Sequence, residues 1–256
     1  MGEIKISTDN SNPKTHETSP NDKFIEWTLS RKSTDWDVLF VSGLIGSLSL
    51  KKGLDVGGGV GVFAEHVAKL QEGTQIDVIE PGTEAHGKFR KSEGIKLIKG
   101  YFPNIKLSQK YDFVLFNLVL HHMLDENHFK TRELQRAALR EAAKILKKNG
   151  VIVVQENIYD PLFGRDLSGR LIYYFTRSKI FEKIFRRLGA NTAGEGVSFN
   201  SDKEWEAIMT ESGLSIEQKI DNLDWSNQQK LYEKLVFLIQ RRYQRVYYLR
   251  KSRPIN

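Results

Sequence analysis

Short apolar runs alternate with amphipathic segments from Gly53 onwards. Runs that are apolar throughout indicate strands buried on both faces of a sheet, and five occur, at 54–57, 76–80, 95–102, 111–117 and 151–157. Apolar residues spaced by three and four predict helices between them, at 62–70, near 83–92 and at about 131–147. Asn149-Gly150 predicts the C-cap of the last of these helices. The alternation predicts a parallel sheet covered by helices.

The pattern changes after residue 157. Residues 158–197 carry no strand signal, and 171–189 predicts one helix with an apolar side and a basic side. Further helices are predicted around 201–212 and 226–240, and two closing strands at 214–220 and 245–251. The fold class is therefore α/β, with a doubly wound, seven-stranded, mostly parallel sheet.

The same patterns divide the chain into five parts. A segment rich in Ser, Thr, Asn, Pro and Lys predicts a disordered arm, and mixed apolar spacing then predicts N-terminal helices. The expected parts are the arm 1–20, N-terminal helices 21–50, a core 51–157, a helical lid insertion 158–200, and a C-terminal part of the core 201–256 with an inserted helix 226–240.

Composition narrows the class of protein. The 256 residues are 39% hydrophobic and 28% charged, which is typical of a globular chain. Cysteine is absent from the sequence, which excludes disulfides and thiolate chemistry. The longest apolar stretch, 38–50, is too short to span a bilayer, and the N-terminus lacks a signal-like apolar region. A cytoplasmic location is the expectation.

Positive charge is concentrated near the end of the chain. The net charge is +7, and six basic residues and no acid fall between Arg241 and Arg253. Such a stretch can attract nucleic acid, an anionic membrane or an acidic substrate, or it can form an ordinary solvated face.

The first predicted strand leads into a glycine-rich turn, LDVGGGVG (54–61). Glycines allow a tight turn and close approach of a ligand, and the next helix N-terminus offers free N–H groups. Glu80 ends the second strand, where an acid can accept both ribose hydroxyls of a nucleoside. Gly59-x-Gly61-x-x-Ala64 also fits a loose dinucleotide fingerprint, but Asp55 would repel a pyrophosphate and attract a sulfonium or an ammonium.

These motifs together resemble the class I S-adenosylmethionine-dependent methyltransferases. The resemblance rests on LDVGGGVG, IDVIEP (76–81), YDFVLFNLVLHHML (111–124) and LKKNGVIVVQE (146–156), in that order. It implies a Rossmann-like methyltransferase fold and an enzyme that uses S-adenosylmethionine and releases S-adenosylhomocysteine.

The resemblance also implies roles for individual residues. Asp55, Gly57, Gly59 and Gly61 would hold the methionine end of the cofactor, Glu80 the ribose, Tyr101 and Phe102 the adenine, and Asn117 and Leu118 would lie beside the sulfonium. Many members place an Asp after the third strand for the adenine amine, whereas this chain has GYFPN (100–104).

Two histidines follow the fourth strand, at the sheet edge where parallel strands open a ligand crevice. His121 and His122 are candidate general bases, with His122 preferred, and Glu156 is a further candidate. Proximity alone, with no base, is the other option. Metal ligation by His121, His122 and His128 lacks a supporting acid, so no metal is expected.

The acceptor is expected to be a small molecule, with oxygen preferred over nitrogen or carbon. Residues 117–120 lack the Asn/Asp-Pro-Pro-aromatic run of enzymes that methylate nucleic-acid bases, and the carboxylate cluster of magnesium-dependent catechol enzymes is missing. Aromatic and basic side chains of the lid suit a partly apolar, anionic acceptor: Tyr159, Phe163, Arg165, Arg170, Tyr173, Tyr174, Phe175 and Arg177.

Three alternatives stay open. The basic C-terminal stretch suits an RNA- or protein-directed methyltransferase, although nucleic acid is the less favoured partner. The incomplete adenine motif suits a cofactor-binding protein that has lost transfer. The basic face at 179–187 suits contact with an anionic membrane. The sequence does not determine the oligomeric state.

Overall fold

The computed structural model describes residues 50–187, 193–222 and 231–252, together with Ile45. The arm predicted at 1–20, nearly all of the predicted N-terminal helices and the first part of the predicted helix 226–240 lie outside these residues.

Seven strands and seven helices make up the described residues. The strands are β1 Lys52–Val56, β2 Gln75–Glu80, β3 Ile95–Lys99, β4 Tyr111–Asn117, β5 Leu146–Pro161, β6 Leu214–Asn222 and β7 Ile239–Lys251. The helices are α1 Val62–Leu70, α2 Thr83–Gly87, α3 His128–Ile145, α4 Leu167–Arg177, α5 Lys179–Arg187, α6 Asp202–Glu211 and α7 Leu231–Val236. A single 3-10 turn, Leu120–His122, follows β4.

The strands form one sheet in the order β3-β2-β1-β4-β5-β7-β6. The first five strands are parallel, and β7 runs antiparallel to both β5 and β6. The predicted doubly wound, seven-stranded, mostly parallel sheet is confirmed. Its order reverses between β1 and β4, and in open α/β sheets ligands bind at such a reversal.

Strand β5 differs from the prediction at both ends. The C-cap predicted at Asn149-Gly150 is wrong, because α3 ends at Ile145 and β5 begins directly at Leu146, where the buried Leu146 pairs with Tyr111 of β4. At the other end β5 continues to Pro161, because the antiparallel β7 offers backbone partners that far. Long-range pairing thus extends the strand beyond its apolar run.

Two helix predictions also need correction. The single helix predicted at 171–189 is wrong, because Ser178 adopts an extended conformation between α4 and α5. The helix predicted near 83–92 ends at Gly87, so that α2 is a single short element.

The alternation of side chains along the strands gives the sheet two buried faces. Leu54, Phe116 and Val154 point to the α3 face, where they pack with α3 and α6 around Trp205. Val78, Leu115 and Val153 point to the opposite α1 face, where they pack with Phe63, Ala64 and Val67 of α1. Both faces are filled below the carboxyl ends of the strands, so that the space for a ligand is at those ends.

A separate apolar cluster, here called the lid cluster, caps the end of β5. Its members come from β5, α4, the segment 193–199 and the start of β7: Tyr159, Leu171, Ile172, Phe175, Ala193, Val197, Phe199, Phe237 and Ile239. Among the described helices, none is both long enough and apolar enough to cross a membrane.

Candidate functional site

The turn between β1 and α1 requires glycine. Gly57, Gly59 and Gly61 all have positive φ, at 69°, 56° and 84°, in the left-handed region that other residues avoid. A Cβ on Gly57 would lie 2.3 Å from Cγ2 of Val119. Gly59 and Gly61 are buried and Gly57 is partly exposed, so the turn packs closely at the switch point of the sheet, with the N-terminus of α1 directly behind it.

Asp55 lies beneath this turn on the α1 face. The residue is buried, and neither carboxylate oxygen has a hydrogen-bond partner among the described residues. A Cβ on Gly58 would meet Oδ2 of Asp55 at 2.4 Å, so the carboxylate packs against the turn itself. Burial, and to a smaller extent the charge of Glu80, raise the pKa of Asp55 to about 7. A cationic group above the turn would offset the cost of ionising this acid.

The replacement Asp55→Asn is expected to change how stability depends on pH. The folded pKa of about 7 exceeds the ordinary aspartate value of 3.8, so between these pH values the folded state holds a proton that the unfolded state has lost. Stability of the wild-type protein therefore falls as pH rises from about 4 to 7, by up to about 4 kcal/mol. The variant should lack this fall, and thermal unfolding of both proteins at pH 5 and pH 8 measures it.

A wild-type melting temperature that does not fall relative to the variant between these two pH values would contradict the buried, partnerless state of Asp55. Asp112→Asn is the matched control, because hydrogen bonds and the Lys147 ammonium lower the pKa of Asp112. Its effect should be a destabilisation present at both pH values.

Glu80 holds the same turn from the neighbouring strand. The N–H of Gly59 donates to Oε2 of Glu80 at 2.9 Å, and the N–H of Gly82 donates to Oε1 at 2.7 Å. An ionised carboxylate has about four lone-pair sites, so two hydroxyls can still be accepted. The sequence predicted the acid at this position, but not its two contacts with the turn.

The adenine and sulfonium residues occupy different surroundings. Tyr101 is 68% exposed, whereas Phe102 is buried in the core with its ring edge-on to Phe116. Asn117 ends β4 with its Oδ1 buried and partnerless among the described residues, and Leu118 has a positive φ of 55°. The roles suggested for these residues stay predictions.

A histidine and a carboxylate meet where β4 and β5 end. Nδ1 of His121 lies 2.6 Å from Oε2 of Glu156, and the backbone N–H of His121 donates to Oε1 of Glu156 at 3.3 Å. Both residues are buried. A carboxylate in this position fixes the tautomer and the orientation of an imidazole. The structure therefore brings two of the three predicted catalytic residues into one pair.

His122 lies beside this pair, with its ring centroid 4.2 Å from that of His121. His122 is exposed at the surface. Although the residue reaches the surface, the protein packed around its ring, together with the neighbouring His121, holds the pKa of His122 below its usual range. The imidazole is therefore neutral near pH 7.

The lid contacts His121 through residues that the sequence analysis did not predict. The N–H of Ser198 donates to the carbonyl of His121 at 2.9 Å, and the Phe199 ring lies 4.8 Å from the His121 ring. Phe199 also stacks on Tyr159 at 4.5 Å. Residues 193–199 lack the periodicity that marks an element, so the only sequence signal was the aromatic side chain itself.

The predicted anion-binding arginines of the lid contact protein groups. Arg165 pairs with Glu204 at 3.0 Å, and Arg170 lies 3.7 Å from Asp166. Arg177 donates to the carbonyl of Asp125 and to the hydroxyl of Tyr173. A cavity of about 670 Å³ between α3, α6 and the start of α4 is lined by Arg165 and Arg170, by Arg132 and Arg136, and by the acids Asp166, Glu204 and Glu211.

Three of the six basic residues of the C-terminal stretch pair with acids, whereas Arg250 and Lys251 donate to the carbonyls of Asn149 and Leu146. Arg241, Arg242 and Arg245 lie on β7 and pair with Asp160, Glu233 and Asp221 respectively, and Arg245 also pairs with Asp202. Arg253 lies outside the described residues. Arg241, Arg242 and Arg245 therefore do not form a continuous cationic surface. Within the described ranges, no group of three or more His, Asp or Glu side chains is arranged to hold a metal ion.

The switch-point turn, the acid on β2 and the sheet order define a class I S-adenosylmethionine-dependent methyltransferase. A family model described as a methyltransferase domain matches residues 37–219. The chain therefore belongs to this methyltransferase family. No curated protein matches the sequence.

Solved structures with the same fold have low sequence identity. A methyltransferase from Clostridium acetobutylicum ATCC 824 is 13% identical, with a TM-score of 0.57 over 92% of this chain and 100% of that one. The N-methyltransferase NodS from Bradyrhizobium japonicum WM9, crystallised with S-adenosylhomocysteine, is 16% identical, with a TM-score of 0.53 over 90% and 98%. The mitomycin 7-O-methyltransferase MmcR is 17% identical, with a TM-score of 0.54; 91% of this chain aligns, but only 58% of MmcR.

Proposed function

We propose that the protein transfers the methyl group of S-adenosylmethionine to an oxygen atom of a small, partly apolar acceptor. The observation that carries this proposal is the buried carboxylate of Asp55, which has no partner in the described part of the chain and lies under the glycine turn. A buried acid without a partner is costly unless a ligand supplies the opposite charge. A sulfonium nucleoside with an α-ammonium meets that need.

The residues around the turn fit this cofactor. Glu80 keeps lone pairs for the ribose hydroxyls, and the exposed ring of Tyr101 is available for the adenine. When bound, the cofactor supplies an activated methyl group, so that the protein needs only to align the acceptor and to take its proton.

His121 is the proposed proton acceptor. Glu156 would orient its imidazole through Nδ1 and stabilise the imidazolium once the proton has moved, as in other carboxylate–histidine pairs. His122 is the second candidate, since its neutral ring lies beside the first. The acceptor would approach His121 from the side where the stacked rings of Phe199 and Tyr159 lie.

The preference for oxygen rests on the histidine base, and the preference for a small molecule rests on the paired arginines of β7. A histidine base serves a hydroxyl, which must lose its proton, more than an amine that is already nucleophilic. The fold is shared with MmcR, an O-methyltransferase, and with NodS, an N-methyltransferase. The test must therefore detect methylation of oxygen as well as of nitrogen. The paired arginines on β7 support a small acceptor over RNA.

The decisive experiment is incubation of the protein with deuterated S-adenosylmethionine and a fractionated cell extract, followed by mass spectrometry. The expected result is a small molecule that carries the label, together with S-adenosylhomocysteine. A labelled amine would support N-methylation, and labelled RNA or protein would contradict the small-molecule proposal. Cofactor binding without any labelled product would favour a protein that has lost transfer.

A second candidate role is contact with an anionic membrane through α5. Ile180 and Ile184 of α5 are 84% and 54% exposed. Lys179, Lys183 and Arg186 lie on another side of the same helix, Arg187 lies next to Ile180, and all four are exposed too. Apolar and basic faces on one surface helix are typical of helices that lie in a membrane interface. An acceptor with an apolar part could reach the lid from such a surface.

The double variant Ile180→Asp/Ile184→Asp is expected to weaken binding to vesicles of phosphatidylcholine with phosphatidylglycerol by at least about tenfold, because each isoleucine contributes about 1.5–3 kcal/mol when buried. Co-sedimentation measures this. Leu70→Asp, which changes an exposed leucine of α1, is the matched control and should bind as the wild type does. Equal binding of the wild type to pure phosphatidylcholine would contradict the anionic preference, and absence of binding would refute the role.

A further inference from the structure

Gln155 of β5 is a buried residue that the function proposed above leaves unexplained. Its exposure is 0%, and neither its amide oxygen nor its amide nitrogen has a hydrogen-bond partner in the described ranges. A buried primary amide without partners costs free energy on both its donor and its acceptor side. Native interiors satisfy the great majority of such groups, so this one indicates a ligand.

The position of Gln155 relates it to the cofactor turn. Gln155 follows Val153 by two residues on β5, and Asn117 follows Leu115 by two on β4, so both side chains point to the α1 face. Gln155 and Asn117 are Cα partners in the β4–β5 ladder. One residue earlier, Phe116 pairs with Val56, the residue before Gly57.

Three polar side chains without complete partners therefore share one face at the carboxyl ends of three neighbouring strands. They are Asp55 on β1, Asn117 on β4 and Gln155 on β5. Parallel strands lie about 4.8 Å apart, so that β1 and β5 are separated by about 10 Å. Glu80 ends β2, on the other side of β1. The row therefore continues from the proposed ribose-binding acid, past the glycine turn, towards β5.

The chemistry of this row matches a zwitterion. Asp55, Asn117 and Gln155 all offer oxygen acceptors to an ammonium, and the amide nitrogen of Gln155 offers a donor to a carboxylate. An α-amino acid carries both groups on one carbon. A carbonyl alone would leave the oxygen of the Gln155 amide without a partner.

We propose that Gln155, with Asn117 beside it, binds the amino-acid end of S-adenosylmethionine, so that β5 contributes to the cofactor site. The inference rests on the proposed function, since it assumes that this cofactor occupies the turn. It assigns Gln155 a binding role and no part in the proton transfer.

Two ligands separate this inference from the cofactor assignment itself. S-Adenosylhomocysteine carries the amino-acid group, whereas 5′-methylthioadenosine has the same nucleoside and thioether without it. Gln155→Leu is expected to lower the affinity for S-adenosylhomocysteine by about tenfold, since a charged ligand group loses its partner. The affinity for 5′-methylthioadenosine should stay unchanged. Titration calorimetry of the variant and the wild type measures both.

The ligand-free variant gives a second readout. Leucine removes an amide that has no partner, so the melting temperature of Gln155→Leu without ligand should equal or exceed that of the wild type. Gln135→Leu is the matched control: Gln135 is equally buried, but its amide nitrogen donates to the carbonyl of Leu120 at 3.0 Å. That variant should lose stability and keep the wild-type ratio of the two affinities.

An unchanged affinity for S-adenosylhomocysteine, or an equal loss for both ligands, would overturn the assignment of Gln155. If the wild type binds neither ligand, the proposed cofactor is wrong and the assignment of Gln155 falls with it. A wild type that binds both, with a variant that loses only one, supports both conclusions.

Discussion

Glu156→Gln is expected to lower kcat by about a hundredfold or more. The amide keeps the shape of the side chain and can still accept a hydrogen bond from His121 Nδ1, which lies 2.6 Å from Glu156 Oε2 in the wild type. It removes the negative charge that would stabilise the imidazolium after proton transfer. His121→Ala should lower kcat at least as much, because it removes the proposed base itself. Turnover of the acceptor found by the labelling experiment, followed as S-adenosylhomocysteine release, measures both.

The two substitutions should leave cofactor binding intact. Neither residue belongs to the turn, so the affinity for S-adenosylhomocysteine is expected to match the wild type. Glu133→Gln, which alters a partly exposed ion pair with Arg136 on α3, is the control and should change neither quantity. A normal kcat in both active-site variants would show that alignment alone suffices, and a large loss in His122→Ala alone would transfer the role to His122.

The sheet and the turn could be predicted because local pattern determines them. The run 111–117 and the helix 62–70 match β4 and α1 residue for residue. A short, mostly apolar run favours a buried strand, and apolar residues spaced by three and four favour a helix. The glycines at 57, 59 and 61 marked the ligand turn because each needs a positive φ.

Features set by distant partners could not be predicted in this way. Asn149-Gly150 has the composition of a helix end, but these residues lie in β5, which pairs with β4. The arginines of β7 formed a basic stretch in the sequence, and only the fold shows that acids from β5, α7 and β6 lie opposite them. Gln155 is the first of three polar residues that follow the apolar run VIVV (151–154), so nothing in the sequence distinguished it. Its missing partners became visible only in three dimensions.

Glu80→Ala is expected to weaken binding of S-adenosylhomocysteine by about a hundredfold. The variant loses both acceptors for the ribose hydroxyls, and a hydrogen bond to a charged group contributes about 1.5–3 kcal/mol. It also frees the N–H groups of Gly59 and Gly82, which Glu80 holds at 2.9 and 2.7 Å, so the turn loses its support from β2. Titration calorimetry measures the affinity, and the melting temperature reports the loss of support.

The loss should extend to 5′-methylthioadenosine, because that ligand shares the ribose. This outcome distinguishes Glu80→Ala from Gln155→Leu, which should affect only the ligand with an amino-acid group. Glu84→Ala is the matched control, since Glu84 is an exposed acid in the first turn of α2, four residues further along the chain. Unchanged affinity in Glu80→Ala would contradict the proposed contact between Glu80 and the ribose. The carboxylate would then serve only to hold the turn.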